Sequence, residues 1–282
     1  MISPAVFGFH LEHDIMSTID RVKPVMKASS NVRQYCDFLW AMTEKEIKVR
    51  YKRAVFGFLW VIVNPLLQMI VIGFVFRFFI KEPIKNYYLY LLVGLLVWNF
   101  FSLSLAKATS SIVNERSLIK KARFPSEVIP LSIIISNLIH LMIAFCLLIP
   151  PILIAGTFSI FSFPKLFLAI MMLLVFTIGL SLLTSALNVR FRDISFFVQA
   201  VLIIWFYITP IVYSINVIPK SAMWIWRLNP LTSVIQLFQD SFASASSPGL
   251  GMFSINLFLI IIVALVGIMV FRRESKNFDD WL

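Results

Sequence analysis

The residues of this chain that could act on a ligand are mostly cationic. Arg50, Lys52 and Arg53 crowd together just before a long apolar run, Arg116, Lys120, Lys121 and Arg123 form a second group, and Arg190 and Arg192 a third. Such groups bind phosphate oxygens through charge and multiple donors, or rest on anionic lipid headgroups. The acids are less organised. Glu115, Glu127, Asp193 and Asp240 are scattered over separate segments, so general acid–base chemistry at a shared centre is not expected. Asp193 is expected to pair with a nearby Arg, because a lone carboxylate beside anionic lipid is unfavourable. His10, Glu12, His13 and Asp14 cluster in an unpatterned stretch and read as solvated, not as a metal site. Cys36 and Cys146 fall in different environments, which suggests neither a disulfide nor a metal centre. No G-x-x-x-x-G-K-[ST] loop is present, so any ATP spent must be hydrolysed by another polypeptide.

The elements that must carry these residues are membrane helices. The chain is 60% hydrophobic and 14% charged, with a mean hydropathy of +0.89, more apolar surface than a water-soluble domain of 282 residues could hide. A helix needs about 20 residues to cross the hydrocarbon core. Stretches of that order run over 54–76, 86–106, 131–154, 166–189, 194–213 and 252–271, predicting an all-α integral membrane protein with six transmembrane helices. Residues 31–53 precede them as an amphipathic interface helix with Val32, Tyr35, Cys36, Leu39, Trp40, Thr43 and Ile47 on its apolar side. Residues 211–249 carry Pro219, Pro230 and Pro248 and are too broken for a further span, so two short re-entrant helices are expected there. Residues 1–30 form an extension of unassigned role, with no cleavable signal-peptide pattern.

Basic residues near the span ends set the orientation. An inward N-terminus collects the Arg50, Arg116–Arg123, Arg190 and Arg272–Arg273 groups on the cytoplasmic side, so both ends are expected inside. The net charge of +11 follows from that asymmetry and does not indicate nucleic-acid binding. The expected spans hold no acidic or basic residue, which disfavours an ion-coupled carrier. His140, deep in a span, is expected to hydrogen-bond a neighbouring helix and not to relay protons.

Four strings within this frame resemble those of ABC-2 type permeases that export lipid-linked polysaccharides. They are Arg50-Tyr51-Lys52-Arg53 with Gly57-Phe58-Leu59-Trp60 and Asn64-Pro65-Leu66, then Leu118 to Pro125, then Asn188 to Ile194, and finally Leu228-Asn229-Pro230-Leu231. The resemblance covers residue 31 to the end. It implies a homodimeric permease in a bacterial inner membrane, paired with two copies of a nucleotide-binding subunit that holds the ATP and Mg, and no cofactor in this chain. The cargo would be O-antigen, capsule or teichoic acid on a lipid carrier.

The resemblance also implies roles. The 107–127 loop becomes the coupling element to the ATPase, with Leu118, Ile119 and Phe124 as apolar plugs ringed by Arg116, Lys120, Lys121 and Arg123, and Pro125 ending the helix. Headgroup anchorage remains the plainer use of those cations. Arg50, Lys52 and Arg53, with Arg190 and Arg192 second, would hold the lipid pyrophosphate. Trp60, Trp205, Phe206 and Tyr207 would line a glycan channel, since aromatic faces offer sliding contacts to sugar rings. Pro210, Tyr213, Trp224 and Trp226 would close the outer mouth. Rival readings are an ABC-2 exporter of a drug or lipid, an embedded envelope transferase working through Glu115, Glu127 or Asp240, and a non-transporting scaffold.

Overall fold

The computed structural model describes residues 32–51, 59–77, 84, 86–121, 124–155, 162–243 and 245–281, and every regular element among them is helical. Helix α1 spans Val32–Tyr51, α2 Trp60–Arg77, α3 Tyr87–Asn114, α4 Arg116–Lys121, α5 Val128–Ala155 and α6 Phe163–Arg190. Then follow α7 Ile194–Ile208, a 3-10 turn at Ile215–Val217, α8 Met223–Leu228, α9 Pro230–Ala243, α10 Leu250–Glu274 and α11 Phe278–Trp281.

Four apolar stretches are long enough to cross a membrane: Tyr87–Asn114, Val128–Pro150, Phe163–Arg190 and Leu250–Asn277. Two shorter ones, Ile62–Phe76 and Ile194–Ile208, lie where the first and fifth crossings are expected. The bundle is built around α3. Its most apolar window is 72% buried, against 22% for that of Leu250–Asn277 at the periphery. Leu91, Leu95, Phe101, Ile134, Leu173, Phe176, Leu231 and Phe238 form the main core. Phe101 stacks on Phe176 at 5.6 Å, and Phe145 on Phe242 at 4.9 Å. Helices α6 and α10 meet backbone to backbone, since a Cβ on Gly179 or Gly267 would overlap main-chain atoms of the opposite helix.

A second cluster closes the end where α3 stops. Phe38 and Met42 of α1, Ile112, Leu118, Val128, Val189, Phe271 and Phe278 are buried there together. Tyr35, Leu39 and Thr43 of the expected apolar side also turn inward here. Val32 and Trp40 are 78% and 61% exposed, while Phe38 and Met42, outside the expected stripe, turn inward. Docking on the foot of α5 rotates the helix, and a helical period leaves two overlapping stripes to choose between.

The 107–127 stretch is also more ordered than a loop. Helix α3 runs without a break past Lys107 to Asn114, and the chain turns at Glu115 into the short α4. At the opposite end, residues 209–214 pass through irregular backbone. Buried carbonyls there must find donors. Tyr90 Oη donates to the Tyr213 carbonyl at 2.9 Å, and Gln239 Nε2 makes long contacts of 3.5 and 3.4 Å with the carbonyls of Pro210 and Ile211. Gln239 lies on α9, a helix enclosed on nearly all sides. Asn229 starts α9, its Oδ1 accepting from the Leu231 amide at 3.1 Å ahead of Pro230 at the first helical position.

Candidate functional site

Arg50 sits in the last turn of α1 and reaches across to α5. Its Nη2 donates to Asn137 Oδ1 at 2.5 Å, and its Nη1 lies 2.9 Å from His140 Nδ1. A guanidinium has no acceptor, so Nδ1 accepts and the ring carries its proton on Nε2. Asn137 and His140, one helical turn apart and both buried, thus hold Arg50 through neutral partners. Neither cancels its charge. Asn137 is itself fixed, its Nδ2 donating to Ser104 Oγ of α3 at 3.0 Å.

Arg50, Asn137 and His140 line a cavity of about 510 Å³ between the end of α1, α2, α3 and α5. Lys107 lines it from α3, within electrostatic reach of Arg50 and also of Glu46. Among the described residues that line the cavity, none is acidic. Asn64 and Gln68 of α2 and Asn99 of α3 continue the wall, joined in a ladder. Asn99 Nδ2 donates to Gln68 Oε1 at 3.1 Å, and Gln68 Nε2 reaches Asn64 Oδ1 at 3.4 Å. Trp60 and Phe100 supply aromatic surface. Pro65, inside α2 and on the same wall, leaves the Val61 carbonyl without its intrahelical donor.

Of the cations expected to meet a phosphate, Arg50 is therefore in a cavity, and Lys52 and Arg53 lie outside the described residues. Arg190 and Arg192 are exposed elsewhere, Arg190 over the rings of Phe191 and Trp281 at 5.1 and 5.6 Å. No ion pair joins Asp193 to either Arg among the described residues, which corrects that expectation. Asn188 Oδ1 instead accepts the Ser195 amide at 3.0 Å, and it is this amide that bridges the turn. Lys107 escapes the sequence reading because the expected second span ends at Ala106, and the Asn64–Gln68–Asn99 ladder escapes it because it joins two helices. Asn99, Leu103 and Lys107 recur every four residues, the signal that would have placed them on one face.

The segment expected to couple to the ATPase is placed differently from the expectation in one respect. Leu118 is only 9% exposed, and Phe124 packs on Phe38 with ring centroids 4.8 Å apart. Ile119 packs against the same cluster. These side chains are not free plugs, because the cluster beneath α3 satisfies them first. Arg116, Lys120 and Pro125 face outward, and Lys121 and Arg123 have no described side chain. Lys45 Nζ grips Glu115 at the elbow from α1. Burial, then the Glu127 carboxylate and then Cys36, push the Tyr35 phenol up, which places α1 against the start of α5.

The aromatic set divides. Trp60 is 47% exposed on the cavity wall and Tyr207 64% exposed on the outer face of α7. Trp205 and Phe206 are half-buried: Trp205 packs edge-on against Phe101 at 5.4 Å and donates to Asn229 Oδ1 at 2.9 Å, and Phe206 meets Trp98 at 5.6 Å. Within this chain both rings pack against the core. Pro210 is buried, and Trp226 Nε1 donates to Tyr213 Oη at 3.0 Å, so the residues of the expected outer mouth are drawn together except for the exposed Trp224. The acids do not converge: Asp240 is held by Lys165 at 2.8 Å, far from the Glu115–Lys45 pair. No three His, Cys, Asp or Glu side chains gather among the described residues.

The pattern of the family described as ABC-2 type transporter matches residues 37–243. The chain is 34% identical over 266 residues to the O-antigen export system permease protein RfbA of Klebsiella pneumoniae, covering 91% of this chain and 99% of the relative. To the protein of that name in Myxococcus xanthus it is 33% identical, covering 74% of this chain and 81% of the relative. To the polysialic acid transport protein KpsM of Escherichia coli it is 22% identical, covering 84% and 93%.

Proposed function

This chain belongs to the ABC-2 type transporter family, and from that premise we propose that it is the permease subunit of a polysaccharide exporter in a bacterial inner membrane. The observation that carries the reading is similarity along 91% of its length, at 34% identity, to a permease named for O-antigen export. The cargo is then a glycan on a lipid carrier, of O-antigen, capsule or teichoic-acid type, passed from the cytoplasmic to the outer face. ATP is hydrolysed, with Mg, by two copies of a separate subunit, and two copies of this chain form the path.

Six crossings with both ends inside accommodate the shorter helices. At about 1.5 Å per residue, the 15 residues of α7 reach about 22 Å, short of a core about 30 Å thick. The irregular segment to Tyr213, with α8 and α9 as re-entrant helices, completes that crossing at the outer side. The outward Arg116 and Lys120 of α4 receive the stroke from the motor below. Supporting the export reading is the separation of the acids, with Glu115 held by Lys45 and Asp240 by Lys165, an arrangement with no use as a transferase centre.

The test is reconstitution of this chain with a nucleotide-binding subunit from the same organism. Glycan is expected outside the vesicle only with both subunits and ATP. Delivery by this chain alone, or product formation without an ATPase, contradicts the reading.

A further inference from the structure

The Arg50–Lys107 cavity has a chemistry of its own. Its two cations come from different helices, and no described lining residue is acidic. Arg50 is pre-oriented by Asn137 and His140, two neutral groups that spend two of its five N–H donors and none of its charge. Glu46 offsets part of the Lys107 charge from outside the cavity, leaving the wall net positive. Two like charges beside apolar walls are unfavourable unless an anion joins them.

Along α3 the character of the wall changes. From Lys107 to Asn99 is about 12 Å of helix at about 1.5 Å per residue. Over that distance the cations give way to the Asn64, Gln68 and Asn99 amides, which offer donors and acceptors together, with Trp60 and Phe100 beside them. Amides with aromatic faces suit hydroxyls and CH faces of a sugar. A ligand matching the whole gradient is anionic at one end and polyhydroxylated at the other.

Resting on the export reading above, we propose that this cavity seats the phosphate-to-sugar junction of the lipid-linked glycan. Arg50 and Lys107 bind the phosphate oxygens, and the Asn64–Gln68–Asn99 ladder receives the first sugar. The two phosphate oxygens bound by Arg50 take its outward N–H groups while Asn137 and His140 keep the fork in place. An ordinary anionic phospholipid headgroup carries the same phosphate chemistry without the sugar, and the experiment separates the two sources.

The permease–ATPase complex is placed in phosphatidylcholine nanodiscs, and binding of tritiated geranylgeranyl diphosphate is measured. Saturable binding is expected, weakened at least about tenfold by Lys107→Gln and by Arg50→Gln, about 1.4 kcal/mol each. Arg50→Lys, which keeps the charge and loses the fork, should fall between. As a lone change at an exposed head, Lys107→Gln should leave the melting temperature in place, which guards against misfolding of the Arg50→Gln form. A lipid-linked sugar diphosphate should compete more strongly than geranylgeranyl diphosphate, and Asn99→Leu should remove that advantage only. Phosphatidylglycerol displacing the probe at equal strength would make this a general headgroup site and overturn the proposal, as would geranylgeraniol competing equally. If the unmodified complex delivers glycan while both Gln variants bind the diphosphate normally, the cavity assignment fails and the export reading stands. Diphosphate binding at the cavity in a complex that delivers no glycan leaves the anion site and removes the export reading.

Discussion

Lys45 Nζ meets a Glu115 carboxylate oxygen at 2.6 Å, joining residues 70 apart in sequence and pinning α1 to the elbow where α3 turns into α4. The two side chains are 16% and 23% exposed, so the pair is partly shielded from water and from salt. It is the one ion pair of the described residues that touches the 107–127 stretch, and α1 and α4 should therefore move as a unit. Glu115→Lys is expected to lower partner-stimulated ATP turnover. The double exchange Lys45→Glu with Glu115→Lys should restore much of it. A double exchange no better than the single variant would show that the pair does not set the elbow.

The exposed face of α4 and the buried ring that follows it should separate in mutagenesis. Arg116→Glu with Lys120→Glu alters exposed charges and should abolish partner ATPase stimulation with little change in melting temperature. Phe124→Ala removes a ring from the Phe38 cluster and should cost about 2 kcal/mol of stability, seen as a lower melting temperature in detergent. If the charge reversal leaves ATPase stimulation intact, α4 does not receive the stroke.

Trp205 and Tyr207 should differ although they are two residues apart. Trp205→Phe keeps the ring packed on Phe101 and Phe176 and loses only the bond to Asn229, about 1 kcal/mol, so glycan delivery should persist. Tyr207→Ala alters an exposed face of α7 and should slow delivery of long glycans more than short ones. Equal effects of the two changes would return Trp205 to the channel lining.

Asn229 links Trp205, the Thr209 hydroxyl and the Leu231 amide, at 2.9, 3.0 and 3.1 Å. Asn229→Ala leaves three buried groups without that partner and should destabilise by about 2 kcal/mol. Thermal unfolding measured beside Asn229→Asp, which keeps the acceptor oxygen for Trp205 and Leu231 and loses the donor to Thr209, gives the comparison. An Ala variant as stable as the unmodified chain would mean that α9 is held by packing alone.

Gly267 and Gly179 set how closely α6 and α10 approach. Gly267→Leu should cost about 3 kcal/mol or prevent assembly, whereas Gly251→Ala, which meets open space, should be neutral. Melting temperatures of the two variants check this, and a stable Gly267→Leu chain would mean that the helices can separate.

The apolar runs, the basic segment ends and the absence of an ATP-binding loop are properties of composition and spacing. The sequence by itself therefore determined a helical membrane protein and its family. Hydrophobic length alone placed α3, α5, α6 and α10, because a bilayer accepts few other solutions for such stretches. The tertiary structure decided which face each helix turns inward. Phe38 and Met42 joined Tyr35, Leu39 and Thr43 on the inward side of α1, Leu118 and Phe124 found a cluster of their own chain, and Trp205 turned to Asn229. Lys107 lies within α3, which runs on past the expected end of its span and brings it to the cavity wall that Arg50 reaches from 57 positions earlier in the numbering. Periodicity along one helix cannot report such meetings. They are fixed by the rotation and register of several helices packed at once, and only that packing leaves two cations facing a common space.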